Sequence, residues 1–193
     1  MPDPVRVLAF AGSTRSGSLN KKLLRAAVVL AEQRGAQVTT LELRELALPL
    51  YDGDLEQHEG LPEGARRLKQ LMATHDAFLI ASPEYNSSVS GVLKNAIDWA
   101  SRPVPNEAPL SAFKEKIAGL LSASPGSLGG LRALIPLRSI LGNLGTIVVP
   151  NQAAIAHAAE AFTETGQLKD PRQQAQVEAV IEQLLRIAAR LKA

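Results

Sequence analysis

"VRVLAFAGSTRSGSLNKKLL", residues 5–24, runs from an apolar stretch through a bend of small hydroxylated residues into a segment of helical periodicity. Val5 to Ala11 is short, apolar and stopped by Gly12, the form of a strand that a parallel sheet buries on both faces. Beyond the bend, Leu19, Leu23, Leu24, Ala27, Leu30 and Ala31 recur at helical spacing, and Arg34-Gly35 supplies a basic last turn and a stop. Strand, polar bend, helix is the unit from which the fold is read.

The unit returns along the chain. Ala36 to Leu43 reads as a second strand, since its threonines and valine favour extended backbone. Residues 44–60 carry prolines, glycines and acids without periodicity and are expected to form a long surface loop. A helix from Glu63 to Thr74 precedes a strand, Ala77 to Ala81, which leads into "SPEYNSSVSG" (residues 82–91) and a helix bearing Val92, Leu93, Ala96, Ile97 and Ala100. Lys116 to Ser122 gives a fourth strand, ending at "SASPGSLGG" (residues 122–130), and the helical stretch that follows through Leu141 contains Pro136, expected near its start or at a kink. Thr146 to Val149 reads as a short last strand, followed by a loop from Asn151 to Asp170. From Pro171, Val177, Val180, Ile181, Leu184, Leu185, Ala188 and Leu191 share one helix face, with Asp170 as N-cap.

Five strands alternating with helices predict a doubly wound α/β fold, with a parallel sheet, right-handed crossovers and helices on both faces. In the flavodoxin-like strand order 2-1-3-4-5, the first and third strands are neighbours at the switch point, where ligands bind outside the carboxyl ends of the strands. No repeat or linker interrupts the pattern, so a single domain over residues 1–193 is expected.

Composition bounds the function. At 193 residues, with 46% hydrophobic and 21% charged residues, the chain is of ordinary globular make-up. Net charge is +2, and the basic residues stand singly or in pairs such as Lys21-Lys22 and Arg66-Arg67, which argues against nucleic acid as a partner. Cysteine is absent, which excludes a disulfide, a thiolate metal ligand and a redox-active thiol and suits a reducing compartment. "MPDPVRVLAFAGS" lacks the positive start of a signal peptide, and no apolar run approaches the roughly eighteen residues of a membrane span, so a cytoplasmic, membrane-independent protein is expected.

Three strand-end loops, residues 12–20, 82–91 and 122–130, are rich in glycine or polar residues and are expected to form one site. The first reads as an anion cradle: backbone N–H groups at a helix N-terminus carry partial positive charge, and small residues let a phosphate approach. Ser13, Thr14, Ser16 and Ser18 add hydroxyls, and Arg15 adds a charge. Neither G-x-x-x-x-G-K-[ST] nor G-x-G-x-x-G is present, which argues against a nucleoside triphosphate or a Rossmann-bound dinucleotide here. A helix cap and turn would explain the same residues equally well. In the second loop, Pro83-Glu84-Tyr85-Asn86 offers a flat aromatic and amide groups suited to a planar ligand, although a lone tyrosine is more often a packing residue. The third loop offers backbone and hydroxyl groups with little bulk, as a structural turn also would.

Taken together, "GSTRSGSLNKKLL" and, about seventy residues on, "SPEYNSSVSGVLKNAIDWASR" resemble the two signatures of the NADPH-dependent FMN reductase family, which includes quinone-reducing and chromate-reducing enzymes. Gly12, Ser13, Arg15, Ser18 and Asn20 match the first, and Pro83, Glu84, Tyr85, Asn86, Gly91, Lys94, Asn95, Asp98 and Trp99 the second. "LSASPGSLGG" and "AFTETGQLKD" extend the likeness over nearly the whole chain. The resemblance implies that Ser13, Arg15, Ser18, Leu19 and Asn20 hold the FMN phosphate, Leu19 through its backbone. It implies that Pro83, Glu84, Tyr85 and Asn86 line the flavin ring, joined by Ser122, Ser124, Gly126 and Gly129. It also implies a homodimer or homotetramer in which a partner completes the pocket. Val89 and Ser90 stand where the family commonly has Ile and Pro, which is expected to loosen the turn and alter the substrate face.

The activity so implied is hydride transfer from NADPH or NADH to bound FMN and on to a quinone, flavin, chromate or azo acceptor by a ping-pong mechanism. Because flavin carries that chemistry, no catalytic side chain is demanded, and His58, His75 and His157 stand isolated in sequence. A flavodoxin-like FMN electron carrier is the alternative, disfavoured because carriers are usually strongly acidic. No metal is expected: Asp52, Asp54, Glu56 and Glu63 approach EF-hand spacing, but Gln57 stands where glycine is needed and Pro62 adjoins the last position. Lys94 and Asp98 read as a helix-surface pair.

Overall fold

The computed structural model describes residues 3–192. Five parallel strands, β1 (Arg6–Ala11), β2 (Gln37–Leu41), β3 (Ala77–Ala81), β4 (Ile117–Ala123) and β5 (Ile147–Ile155), lie in the order 2-1-3-4-5. Six helices connect or flank them: α1 (Leu19–Gln33), α2 (Gly53–Glu59), α3 (Glu63–Thr74), α4 (Gly91–Ala100), α5 (Leu131–Asn143) and α6 (Pro171–Lys192). The flavodoxin-like architecture expected from the alternation is therefore the one observed.

Strand alternation divides the core into two layers. Val7, Ala9 and Ala11 of β1, with Ala77, Leu79 and Ala81 of β3, face α1 and α6, meeting Leu23, Ala27, Val180 and Leu184. Leu8, Phe10, Phe78 and Ile80 point the other way, onto Leu68 and Met72 of α3, Leu93 and Ile97 of α4 and Leu137 of α5. Gly119 keeps α6 close to the sheet, since a Cβ there would stand 2.9 Å from Val180 Cγ1. Asp170 caps α6 as expected, its Oδ1 accepting from Arg172 N at 2.8 Å.

Two expectations need correction. The segment read as a surface loop carries a 3-10 turn, Leu43–Leu46, and α2. The acids that obscured α2 form it: Asp52 Oδ1 accepts from Asp54 N at 2.8 Å, and Glu56 Oε2 accepts from Tyr51 Oη at 2.9 Å. The last strand does not stop at Val149 but runs to Ile155, its register against β4 shifting between Ala118 and Leu120. Pro150 is tolerated because β5 is an edge strand with a bulge, and Arg138 donates to Val149 O at 2.9 Å and Gln152 Oε1 at 3.1 Å around it. Pro136 sits in the second turn of α5, near its start as expected.

Candidate functional site

The loops after β1, β3 and β4 continue the sheet's hydrogen bonding past the strand ends. Gly12 N donates to Ala81 O at 2.9 Å, Ser82 N to Leu121 O at 2.8 Å and Ser124 N to Ile155 O at 3.1 Å. Side chains then cross between the loops. Ser90 Oγ donates to Gly12 O at 2.5 Å, Ser122 Oγ to Ser82 O at 2.7 Å, and Asn20 pairs with the backbone of Ala123 through both ends of its amide, at 2.9 and 3.0 Å. The three loops expected to share one site are thus side by side and tied to one another.

In the first loop Gly12 is required by space, since a Cβ would meet Leu93 Cβ at 3.0 Å and Pro83 Cδ at 3.3 Å. Ser18 is the N-cap of α1, accepting from Lys21 N, and Ser13 is buried with its Oγ accepting from Arg15 N at 3.3 Å. The backbone N–H groups of Leu19 and Asn20, at the head of α1, have no partner among the described residues, and α1 has no acid in its first turn. Arg15 is exposed, with no ion-pair partner among the described residues. A helix N-terminus with free donors, small flanking residues and one uncommitted guanidinium fits a phosphate monoester.

In the second loop, Tyr85 and Ser88 exchange two backbone hydrogen bonds of 3.0 Å about Asn86 and Ser87, both with positive φ. This tight hairpin presents Tyr85 half-exposed. Glu84 is engaged otherwise: its Oε1 accepts from Arg132 Nε at 2.6 Å, and its side chain is only 10% exposed. Pro83 is buried against the first loop. Ser90, expected to loosen the turn, is instead buried, caps α4 through Leu93 N at 3.3 Å and reaches the first loop through Gly12 O. In the third loop Ser124 and Gly126 reach the surface, whereas Ser122 and Gly129 lie beneath it. Gly129 packs on the β5 backbone, where a Cβ would lie 2.6 Å from Ala154 C, and Gly130, at φ 86°, makes room for the Ser122 hydroxyl.

The sequence-derived residues therefore divide. Arg15, Tyr85, Asn86 and Gly126 are exposed and Leu19 and Ser124 half-buried, while Asn20, Ser90 and Ser122 spend their side chains fastening the three loops to one another. Lys21, in the first turn of α1, pairs with Glu42. Two arginines were missed: Arg132, and Arg44, whose Nε and Nη2 reach Thr14 O at 3.0 and 2.7 Å. Neither lies in a motif. Strongly displaced titration occurs at the opposite, N-terminal end of the sheet. There burial raises the Asp76 carboxyl, but side-chain and backbone hydrogen bonds from Arg6 and one from Lys192 outweigh it and hold the group well below the carboxylate range. Burial lowers the nearby Lys116 ammonium, which donates to Ala73 O and His75 O.

Comparison with known proteins places the chain among flavin-dependent reductases. The family model described as NADPH-dependent FMN reductase matches residues 5–160. An NAD(P)H-dependent FMN reductase of Pseudomonas aeruginosa is 36% identical over 194 residues, covering 100% of both chains. An NAD(P)H:quinone oxidoreductase of Solanum tuberosum is 34% identical over 194 residues, covering 97% of this chain and 95% of that one. Among solved structures, the flavoenzyme NAD(P)H:(acceptor) oxidoreductase FerB of Paracoccus denitrificans superposes with a TM-score of 0.79 at 34% identity, covering 94% of this chain and 98% of FerB.

Proposed function

The chain belongs to the NADPH-dependent FMN reductase family, and from that premise we propose an NAD(P)H-dependent flavoenzyme that reduces quinones, flavins, chromate or azo compounds in a ping-pong cycle. FMN is its cofactor and NAD(P)H its reductant. When bound, FMN supplies the hydride-accepting centre and passes reducing equivalents to the acceptor.

The observation that carries the reading is that, among the described residues, the Arg15 guanidinium and the N–H groups of Leu19 and Asn20, all within the first loop and the head of α1, have no partner. These groups would hold the phosphate, with Ser18 fixing the helix start by its cap. Asn20 would contribute its backbone N–H, because its amide is committed to Ala123. Tyr85 and Asn86 would border the ring from the rigid hairpin, opposite Ser124 and Gly126. Glu84 would act through Arg132, and Ser13, Pro83, Ser122 and Gly129 would support the floor. No side chain is assigned a proton-transfer role. His75, whose ring is fixed between Leu71 O at 2.6 Å and Thr39 Oγ1 at 2.8 Å, takes no part.

We also propose a cytoplasmic homodimer or homotetramer whose partner copy completes the pocket. Support comes from Leu128, Leu131 and Ile135, exposed apolar residues that begin in the third loop and continue along α5. Light scattering of the purified chain tests this, with a monomer as the refuting result.

The test of function is spectroscopic. The purified chain should take up FMN, lose the oxidised flavin absorbance with NADPH or NADH under anaerobic conditions, and regain it when a quinone is added. Failure to take up FMN would refute the flavin reading, and an oxidised spectrum that persists with both nicotinamides would refute the reductase.

A further inference from the structure

Arg44 belongs to no motif, yet two of its guanidinium nitrogens converge on one backbone oxygen of the first loop, Thr14 O. Its base is fixed. It sits in the 3-10 turn Leu43–Leu46, whose Leu43 and Leu46 are buried, and its own N–H donates to Glu42 Oε1 at 3.2 Å. The other Glu42 oxygen pairs with Lys21 Nζ at 2.5 Å, in the first turn of α1. A polar chain, Thr14–Arg44–Glu42–Lys21, thus braces the loop and its following helix from the β2 side.

We propose that Arg44 is a positioning residue that sets the site's selectivity for a phosphorylated flavin over its dephosphorylated counterpart. The inference rests on the FMN reading above. A peptide unit is planar, so fixing the Thr14 carbonyl toward Arg44 fixes the Arg15 N–H on the opposite side of the same plane, where it donates to Ser13 Oγ at 3.3 Å. The start of Arg15, the loop's uncommitted cation, is fixed with it. A carbonyl oxygen turned into the cradle would instead present negative charge to the phosphate. Two charge-assisted hydrogen bonds hold it outward. Meanwhile Glu42 occupies the Lys21 ammonium, so ordering the loop adds no second free cation. Recognition then depends on the placement of the Arg15 side chain and of the Leu19 and Asn20 N–H groups, from which an anionic phosphate accepts more strongly than a bare ribityl hydroxyl does.

A merely structural Arg44 would stabilise the 3-10 turn and leave flavin selectivity unchanged, and this separates the two roles. The full chain, freed of flavin, is titrated with FMN and with riboflavin, following quenching of flavin fluorescence, for wild type, Arg44→Ala, Arg44→Gln and Arg44→Lys. Expected for Arg44→Ala is a loss of FMN affinity of about tenfold to a hundredfold, with riboflavin changed by less than about twofold. Arg44→Lys should recover only part, because an ammonium is a point donor without the guanidinium fork. Arg44→Gln, neutral and with one donor group, should fall between Lys and Ala, and both conservative variants keep the test available if Arg44→Ala folds poorly. An FMN-to-riboflavin ratio unchanged in all three variants, or full recovery by lysine, overturns the proposal while leaving FMN binding intact. A wild-type chain that takes up no FMN overturns this proposal together with the functional reading.

Discussion

Replacing Asn20 by alanine separates a phosphate ligand from a fastening. The Asn20 side chain is buried, donating from Nδ2 to Ala123 O at 2.9 Å and accepting at Oδ1 from Ala123 N at 3.0 Å. It joins the head of α1 to the end of β4. In Asn20→Ala, the N–H and C=O of Ala123 each lose a buried partner, at about 1–3 kcal/mol apiece. The adjoining cradle admits water to part of the site, so a total of roughly 3 kcal/mol is expected. For a chain of this size that is about 6–12 °C in Tm.

The assay is urea unfolding of the flavin-free chain, followed by far-ultraviolet circular dichroism and the fluorescence of the single, buried tryptophan, Trp99. The midpoint should fall with little change in slope, and FMN and riboflavin should weaken together. Asn20→Asp is the matched control: it keeps the shape, but places an oxygen against Ala123 O and buries a charge. It should be less stable than Asn20→Ala at neutral pH, and recover as acidification protonates the carboxyl and restores a donor. Should Asn20→Ala keep wild-type stability within about 0.5 kcal/mol while losing FMN selectively over riboflavin, Asn20 is a direct phosphate ligand and its pairing with Ala123 is refuted.

Other perturbations test the same structure. Arg15→Ala should weaken FMN far more than riboflavin, by about tenfold or more, with an unchanged unfolding midpoint; equal weakening of the two flavins would remove Arg15 from the phosphate. Gly130→Ala places a Cβ 2.0 Å from Ser122 Oγ at a φ of 86°, so a loss of about 2–4 kcal/mol is expected by urea unfolding, and a change under 0.5 kcal/mol would contradict the packing. Asp76 has a folded pKa below its unfolded one, so its contribution is complete above about pH 4 and disappears as the pH falls further. Asp76→Asn should therefore cost stability at pH 7 and flatten the pH dependence between about pH 4 and pH 2; identical profiles for variant and wild type would refute the assignment.

The sheet order and the two helix layers were legible because the patterns are local: β1 and β3 are short runs apolar on both faces, and α1, α3 and α6 carry continuous apolar stripes. What escaped depended on compensation from afar. Pro150 reads as a strand terminator, and only the side chain of Arg138 in α5 and the lack of a neighbour beyond β5 let the strand continue. The α2 segment buries no residue, so it shows no stripe; the Asp52 cap and the Tyr51–Glu56 hydrogen bond hold it. In the candidate site, residue types singled out the three loops but not the direction of each side chain. A buried amide such as Asn20 and an exposed one such as Asn86 look alike in sequence.

That ambiguity has a physical origin in how a phosphate cradle must be built. Backbone N–H groups bind an anion well only if they are held convergent, and loops lacking side-chain bulk have little else to hold them. The hydroxyls and amides that make the motif look like a ligand set are therefore needed twice, once toward the ligand and once toward neighbouring carbonyls. Here Ser90, Ser122 and Asn20 satisfy Gly12 O, Ser82 O and Ala123 O, each on a different loop from the donor. Each bond removes a carbonyl that could otherwise turn toward the anion. Ser90 shows the consequence most directly. A proline at that position would stiffen the turn by fixing φ but could not reach Gly12 O, whereas the serine ties the second loop to the first and caps α4 with the same oxygen. Rigidity is kept by a different bond, and it couples the second loop to the first.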